Sequence, residues 1–491
     1  MAWECVKMDG MLCLALCLAP SFQASQVEKK PEVAVKPVAK LPTEYDAGKI
    51  EFYIRQAAQE QGFVGLEMVV IRNGKPSLGF GFGKSLAKEF KNAKDLTPDE
   101  PLAIGSVSKQ FTCAALLLLA QDGKLAPTDK VSRWYPDLAN ANTVTLLDLM
   151  NHTSGYTDYY PLDFVDRRLA KPILPDDLIR QYAIGKVDFE PGAKYSYSNT
   201  GYTILGRVIE KVSGKPLGVF LRERLFLPVG MTTASFEPET DGLIMDRARA
   251  QGYRALGIDG SEIAPPEGRG WLNGAGGVWA SANDLGKWAM ALMEGKLLDA
   301  KHLELMTKPR LLNNGKKSNY GCGLTVREVN GEVVWGHTGS ISGFHANLTM
   351  VPRTKTVVVT LANAEHLDDG KLHREVVGLA QKEPSSIPTV NGLKPVEQAK
   401  ILVAELTKGE IEAKNLGEEY KVFMTPERQG AYSRKLKELG EPKSVQVASQ
   451  HERGGMEVSM LRLVFKDGTV LLGSLYRKPD GTVEQFLLTR E

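Results

Sequence analysis

The alternation of apolar and polar side chains predicts a sheet whose strands come from two distant parts of the chain. Over residues 45–60 apolar side chains recur at steps of three and four, which is typical of an amphipathic helix. A strand over 66–71 follows and returns over 77–82 after a tight turn that contains Asn73 and Gly74. Much later, short β-rich runs between turn residues predict further strands over 322–327, 333–337, 346–351 and 356–361.

The stretch between these two groups of strands has a mostly helical pattern. Within it, Thr145 and Asp148 have the spacing of a capping box, in which each side chain bonds the other residue's backbone amide at the start of a helix. We therefore expect an α/β (α+β) fold, with an antiparallel sheet flanked by helices and a helical subdomain whose loops face the edge of the sheet. Such an architecture forms a cleft.

The last part of the chain has the pattern of a separate small domain. Residues 383–395 are rich in Pro, Ser and Gly and predict a linker. Beyond it we expect a small α+β accessory domain over 396–491 with a packing or interaction role. Its helices are predicted over 396–406 and 426–439, and its strands, some joined by Asp-Gly turns, over 444–450, 457–466, 469–477 and 482–489.

The beginning of the chain has the pattern of a leader and a spacer. Residues 11–19 form an apolar run that is too short to span a bilayer but has the size of a secretory core. Glu4 and Asp9 precede it, although a signal peptide usually starts with positive charge. We expect a signal peptide over 1–24, a Lys/Pro-rich linker over 25–42 and a periplasmic or secreted product, with an uncleaved, membrane-associated segment as the alternative.

Composition and charge exclude several classes of protein. The chain has 61 Lys and Arg against 59 Asp and Glu, a net charge of +2, so it lacks the basic field on which nucleic-acid binding depends. Of its five cysteines only Cys113 and Cys322 lie beyond the first twenty residues, which cannot build a disulfide framework or a Cys-x-x-Cys metal site. We expect no metal, no other cofactor and no nucleic-acid partner.

The strongest local motif is Ser106-Val-Ser-Lys109, at the start of an apolar helix that ends near Gly123. Residues three apart share a helix face, so the serine and the lysine can touch. A lysine in a partly desolvated cleft loses proton affinity and can then activate the hydroxyl. The helix N-terminus adds positive potential where an oxyanion would form. Alone, this spacing also fits an ordinary capped helix.

Two further motifs add complementary polar groups. In Tyr197-Ser-Asn199 a phenol close to a lysine ammonium would have its anionic form favoured, which suits a general base or acid. The amide of Asn199 could bind a substrate carbonyl. In His337-Thr-Gly-Ser340, at the end of a predicted strand, glycine allows close backbone approach and an amide could bind an oxyanion. Each motif alone also fits a structural role.

Together and in this order, the three motifs resemble the serine β-lactamase and penicillin-binding-protein superfamily. The likeness is greatest to its branch with Tyr-x-Asn and His-Thr-Gly, which contains D-Ala-D-Ala carboxypeptidases, D-aminopeptidases, esterases and the β-lactamases that use a tyrosine. Residues 149–155 (LMNHTSG) also look like a segment of that branch. The resemblance implies a β-lactamase/transpeptidase-like hydrolase domain over residues 43–382.

The resemblance also implies the roles of the motif residues. Ser106 would be the nucleophile, with Lys109 and Tyr197 moving protons and the amides of Ser106 and Ser340 binding the oxyanion. His337 stands where the family usually has lysine, so efficient β-lactam hydrolysis is not expected; if His337 must be protonated to bind an anionic substrate, activity should fall above about pH 6.5 to 7. The substrate-binding and oxyanion residues implied are Asn199, His337, Thr338, Gly339 and Ser340.

We therefore expect a serine hydrolase that cleaves an amide or ester through a covalent acyl-serine intermediate. Its substrates would be small molecules or short peptides, such as D-amino-acid peptides of cell-wall type, esters or β-lactams. The alternative is a catalytically silent, penicillin-binding-like protein with a binding or regulatory role.

Overall fold

Helices and strands are interspersed along the part of the chain that the structure describes. The computed structural model describes residues 40–86, 93–160, 167–236, 250–257, 260–329, 331–382, 387–411 and 415–490. The helices are α1 Ala47–Gln61, α2 Lys109–Gln121, α3 Leu146–Met150, α4 Pro175–Ala183, α5 Asn199–Ser213, α6 Leu217–Leu221, α7 Asn273–Gly276, α8 Ala282–Met293, α9 Ala300–Thr307, α10 Asp369–Ala380, α11 Pro395–Lys408, α12 Glu418–Phe423 and α13 Pro426–Leu439. The strands are β1 Gly65–Arg72, β2 Lys75–Gly83, β3 Leu102–Ala103, β4 Ser235–Phe236, β5 Tyr253–Leu256, β6 Gly260–Ile263, β7 Val278–Ala280, β8 Thr325–Val329, β9 Glu332–Ile341, β10 Phe344–Val351, β11 Thr356–Ala362, β12 Ser444–Arg453, β13 Met456–Val464, β14 Val470–Arg477 and β15 Val483–Arg490.

The predicted leader and both predicted linkers fall wholly or partly outside these ranges. The predicted signal peptide over 1–24 lies outside the described residues, as does the linker over 25–42 except for its last three residues. Residues 383–386 of the second predicted linker are outside them as well. These boundaries therefore stay predictions.

The largest sheet of the described chain joins both predicted groups of strands. Its order is β2-β1-β11-β10-β9-β8, and all its pairs are antiparallel. β1 pairs with β11, and the pairing begins where Leu66 lies opposite Ala362. It also pairs with β2 through a turn in which Asn73 and Gly74 have φ of 51° and 72°, the left-handed values that Asn and Gly tolerate best. The predicted antiparallel sheet built from distant segments is confirmed.

The two faces of this sheet pack against different helices. Met68 and Val70 of β1 join a core with residues of α1 and α10. Val69 and Ile71 point to the opposite face, because side chains alternate along a strand, and join the core that contains α2 and α8. The sheet is thus a wall between two helical layers.

Helix α2 runs through the larger of these cores. Every residue from Lys109 to Leu119 is buried. Near its start the ring of Phe111 lies 5.3 Å from that of Phe226 and 4.5 Å from that of Trp288. Because neighbours surround α2 on all sides, packing fixes the position of its first turn, where Ser106 and Lys109 lie.

The predicted capping box is confirmed at the start of α3. The Thr145 hydroxyl accepts from the Asp148 amide at 3.1 Å, and the Asp148 carboxylate accepts from the Thr145 amide at 3.0 Å. Asp148 also pairs with Arg310 at 2.9 Å. This short helix leads directly into residues 151–160, which form one wall of the site described below.

The C-terminal part of the chain has its own core. Its sheet has the order β12-β13-β14-β15, and residues of α11, α12 and α13 pack against it. Buried Arg477 pairs with Glu457 at 2.7 Å and also donates to the backbone carbonyl of Leu393. This confirms a small C-terminal sheet domain, and α12 is a helix that the sequence pattern did not indicate.

Removing the aromatic contact at the start of α2 tests this account of the core. We expect Phe111→Ala to lower the free energy of unfolding by about 3–5 kcal/mol, because it leaves a cavity among fully buried neighbours. The matched change Leu227→Ala, at a side chain that is 51% exposed, should alter it by less than about 0.5 kcal/mol. Urea titration followed by circular dichroism measures both, and equal losses would contradict this description of the core.

Candidate active site

A small sheet positions the turn that carries Ser106. Its strands β3, β7 and β4 lie side by side, and the amide of Ile104, just after β3, donates to the carbonyl of Val278 at 3.1 Å. The amide of Val278 in turn donates to the hydroxyl of Ser108 at 3.0 Å. Residues Gly105–Ser108 form a 3₁₀ turn that leads into α2. Ser106 is partly exposed, so an incoming molecule can reach its hydroxyl.

Strand β9 runs directly against this turn. A methyl carbon on Gly339 would lie 2.0 Å from the carbonyl oxygen of Ile104 and 3.1 Å from the amide nitrogen of Ser106. A methyl carbon on Gly105, whose φ is 49°, would lie 2.9 Å from the amide nitrogen of Ser340. Only glycine fits at both positions. The backbone amides of Ser106 and Ser340 are consequently close neighbours.

The outer edge of β9 is open at this point. Within the described chain, β8 pairs with β9 only over residues 332–336. Residues 337–341 of β9 therefore have no neighbouring strand on the side away from β10. The hairpin from β9 to β10 closes on a two-residue turn between Ile341 and Phe344. In such a ladder the amide of Ser340 points away from β10, toward the open edge. The arrangement suits binding of an oxyanion, as the sequence analysis expects.

Lys109 is the most deeply buried polar group of the site. Its side chain is 0% exposed, and its amine lies 2.9 Å from the Ser106 hydroxyl, 2.7 Å from Oδ1 of Asn199 and 2.7 Å from the carbonyl oxygen of Ala275. Burial lowers the pKa of Lys109 to about 7, although the carboxylate of Asp158 acts to raise it. The amine is therefore close to half neutral at physiological pH.

The partners of Lys109 decide what its neutral amine does. An amide oxygen and a backbone carbonyl accept hydrogen bonds and cannot donate them, so Asn199 and Ala275 receive the two amine hydrogens. Of the three partners, only the Ser106 hydroxyl can donate to the remaining lone pair. The geometry therefore directs the basic electron pair of Lys109 at the hydroxyl of Ser106.

Asn199 joins the lysine to an acidic residue that sequence reasoning missed. Helix α5 begins at Asn199, whose backbone amide donates to Asp158 at 3.0 Å and whose side-chain amide donates to it at 3.3 Å. The Asn199 side chain thus bonds protein groups on both of its polar atoms in this structure. Its predicted contact with a substrate amide stays a prediction. No spacing in the sequence links Asp158 to Asn199, so only the folded chain reveals the pair.

Tyr197 is present where the motif predicts it, but its charge state differs from the expectation. The Lys109 amine lies over the face of the Tyr197 ring, 4.8 Å from the ring centroid. Burial raises the pKa of Tyr197 above its usual value, and a hydrogen bond with Ser106 offsets only part of that rise. The expectation that the neighbouring lysine favours the phenolate is therefore wrong. The phenol is neutral and can donate a proton.

His152, from the 149–155 segment, positions Tyr197. Its buried ring stacks on that of Tyr197 at 4.2 Å, and its Nδ1 accepts from the amide of Ser198 at 3.0 Å. Burial lowers the pKa of His152 well below its usual value, so the ring is neutral. In the sequence this histidine is only one residue of a segment that resembles the family. Its stacking role depends on contacts between residues far apart in the chain.

His337 does not supply positive charge to the site. Its ring is 6% exposed, and it bonds the Tyr320 hydroxyl through Nε2 at 2.8 Å and the carbonyl of Thr338 through Nδ1 at 2.5 Å. Burial and the nearby Lys109 lower the pKa of His337 to about 3. A fall in activity on anionic substrates above about pH 6.5 to 7 would require a protonated His337, and the lowered pKa does not favour that state. Thr338 and Ser340 are exposed on the same strand.

The described ranges contain neither a cluster of metal-ligating side chains nor a helix that could span a membrane. There, no three His, Cys, Asp or Glu side chains cluster in a way that could hold a metal ion. No helix among these residues has both the length and the apolar character needed to cross a bilayer.

Comparison with known proteins assigns the chain to a family. A family model described as Beta-lactamase matches residues 50–382, which is more than half of the chain. The chain belongs to the beta-lactamase family. The matched region contains the Ser106 turn, Lys109, Tyr197 and strand β9, so the family and the geometry concern the same residues.

Relatives of this beta-lactamase family member include a penicillin-binding protein, a D-aminopeptidase and a D-amino acid amidase. The chain is 30% identical over 364 residues to penicillin-binding protein PbpX of Bacillus subtilis, across 74% of this chain and 85% of that protein. It is 28% identical over 306 residues to the D-aminopeptidase of Brucella anthropi, across 62% of this chain but only 56% of that enzyme's length. A solved structure of the D-amino acid amidase from Ochrobactrum anthropi SV3, complexed with D-phenylalanine, is similar with a TM-score of 0.57 and 26% identity, over 68% of this chain and 97% of that one.

A titration of the site histidine tests the described electrostatics. We expect the His337 ring to stay neutral, with its proton on Nδ1, from about pH 8 down to about pH 5, because its pKa of about 3 lies below that range. Nitrogen-15 NMR of the imidazole measures this, with His337→Gln assigning the signal. A midpoint near the unperturbed value of about 6.5 would contradict it.

Proposed function

We propose that the protein is a serine hydrolase that cleaves amides of D-amino acids, and short peptides that begin with one, through an acyl-enzyme on Ser106. One observation carries the proposal: the buried amine of Lys109 has the Ser106 hydroxyl as its one partner that can donate a proton. Relatives named D-aminopeptidase and D-amino acid amidase supply the substrate class.

In the proposed first step the Ser106 oxygen attacks the substrate carbonyl while its proton passes to the neutral Lys109 amine. The amides of Ser106 and Ser340 bind the oxyanion that forms, which is where such donors lower the barrier most. When the intermediate collapses, the neutral Tyr197 phenol protonates the leaving amine, and the Lys109 ammonium returns a proton to the tyrosinate. The carbon–nitrogen bond breaks and an acyl-Ser106 ester remains.

In the proposed second step water replaces the amine. It attacks the acyl-Ser106 ester and gives a proton to Tyr197 as the phenol proton passes to Lys109. The Lys109 ammonium then returns a proton to the Ser106 oxygen as the D-amino acid leaves. Asn199 and Asp158 hold Lys109 in position during both steps, because Asn199 bonds the amine and Asp158 bonds Asn199. Water and the leaving amine use the same proton-transfer groups, as microscopic reversibility requires.

Removing the nucleophile or the base tests the proposed roles. We expect Ser106→Ala and Lys109→Met each to lower kcat/KM for D-alanine p-nitroanilide at least about 10³-fold. Lys124→Met, at an exposed lysine just beyond the end of α2, should keep activity within about twofold. Mass spectrometry of the wild type after treatment with a fluorophosphonate should locate the adduct on Ser106. Hydrolysis that survives Ser106→Ala would contradict the proposal.

The dependence of the reaction on pH tests the role of Lys109 separately. The lysine accepts a proton only when its amine is neutral, so kcat/KM should rise with pH through about 7 and level off above it. Below about pH 7, kcat/KM should fall by about tenfold for each pH unit. An uncharged ester substrate avoids titration of the substrate itself. A rate that is flat between about pH 5.5 and pH 9 would remove Lys109 as the base.

A further inference from the structure

Segment 264–268 binds the turn that follows the oxyanion strand β9. The amide of Ser342 donates to Oε1 of Glu267 at 2.8 Å, and the Ser342 hydroxyl donates to the carbonyl of Pro265 at 2.6 Å. Ser342 is two residues beyond Ser340, whose amide lies beside that of Ser106. Glu267 therefore holds the end of the strand that carries one of the two oxyanion donors.

The same carboxylate oxygen also reaches the opposite side of the cleft. Oε1 of Glu267 accepts from the Tyr160 hydroxyl at 2.9 Å. Tyr160 follows Asp158 by two residues, and Asp158 bonds the backbone and side-chain amides of Asn199, which bonds Lys109. A single oxygen thus connects the turn after Ser340 to the loop that positions the base.

The loop on that side has further attachments to the same part of the chain. The hydroxyl of Tyr159 donates to the carbonyl of Trp271, and the amide of Gly268 donates to the carbonyl of Leu169 at 2.6 Å. The hydroxyl of Thr200, in the first turn of α5, donates to the carbonyl of Thr157 at 2.7 Å. Residues 157–160 are therefore held between α5 and the segment that contains Glu267.

We infer that Glu267 is a positioning residue for the reaction, which sets the oxyanion amide of Ser340 relative to the Asp158–Asn199–Lys109 chain by bonding both sides of the cleft. The inference rests on the proposed function. The nucleophile must meet the base and the oxyanion donors at the same time, and small displacements of such groups reduce the rate strongly. Glu267 touches neither the nucleophile nor the base, so its effect passes through Ser342 and Tyr160.

A neighbouring carboxylate provides a matched control. Glu365 accepts from the amide of Gly343 and so holds the same turn as Glu267. Among the described contacts it makes no bond to residues 157–160. If holding the turn were all that mattered, Glu267→Ala and Glu365→Ala would have equal effects. If connecting the two sides matters, only Glu267→Ala and Tyr160→Phe should slow the chemistry.

The experiment compares the full-length variants Glu267→Ala, Glu267→Gln, Tyr160→Phe, Glu365→Ala and the double variant Glu267→Ala/Tyr160→Phe. Kinetics on D-alanine p-nitroanilide, the rate of Ser106 labelling by a fluorophosphonate and Tm are measured for each. We expect Glu267→Ala to lower kcat and the labelling rate about 10- to 100-fold with KM within about twofold. Glu267→Gln should recover most of the loss, because its amide oxygen still accepts both bonds.

The remaining variants separate positioning from stability. Glu365→Ala should keep kcat within about threefold even if Tm falls. The double variant should be no slower than Glu267→Ala alone, because both changes break one connection. Equal kcat in Glu267→Ala and Glu365→Ala, or additive losses in the double variant, would overturn the role of Glu267. If Ser106 of the wild type is labelled but all variants react as fast as the wild type, only this role of Glu267 is overturned. If the wild type resists labelling, the proposed function is overturned together with it.

Discussion

The site depends on one buried amine that has no carboxylate among its direct hydrogen-bond partners. Removing the Lys109 side chain from water disfavours its charged form. The carboxylate of Asp158 acts to raise the pKa of Lys109, but it hydrogen-bonds Asn199 and not the amine itself. A neutral amine in that position can donate two hydrogen bonds and can accept one through its lone pair. The fold supplies acceptors for the hydrogens at Asn199 and Ala275, which leaves the electron pair for Ser106.

The rest of the architecture brings these groups together. Ser106 and Lys109 come from the start of α2, Asn199 from the start of α5, and Ala275 from α7. Strand β9 closes the site from the sheet side, where glycine at 105 and 339 allows two backbones to approach closely. Each element would be ordinary alone. Their common packing against the central core is what places a base, a nucleophile and two oxyanion donors in one cleft.

Features that depend on neighbours in sequence could be predicted, and those that depend on burial could not. The Asn73-Gly74 hairpin, the Thr145–Asp148 capping box and the Ser106–Lys109 spacing are local, so the sequence pattern indicates them correctly. The Tyr197 motif predicts that the anionic phenol is favoured, and the His337 motif leaves the charge of the ring open. A motif shows which groups are near and not how much water is removed around them. In the folded chain burial is the largest cause of both shifts, raising the pKa of Tyr197 and lowering that of His337. Asp158 and Glu267 act through contacts that no motif spacing records.

The most direct test of the account is the pKa of Lys109 itself. Carbon-13 labelling of lysine at Cε allows the amine to be titrated by NMR in the folded protein, with Lys109→Arg assigning its signal. We expect a midpoint at about pH 7, several units below that of an exposed lysine. A Lys109 amine that stays charged above about pH 9 would contradict it, because no neutral base would then face Ser106.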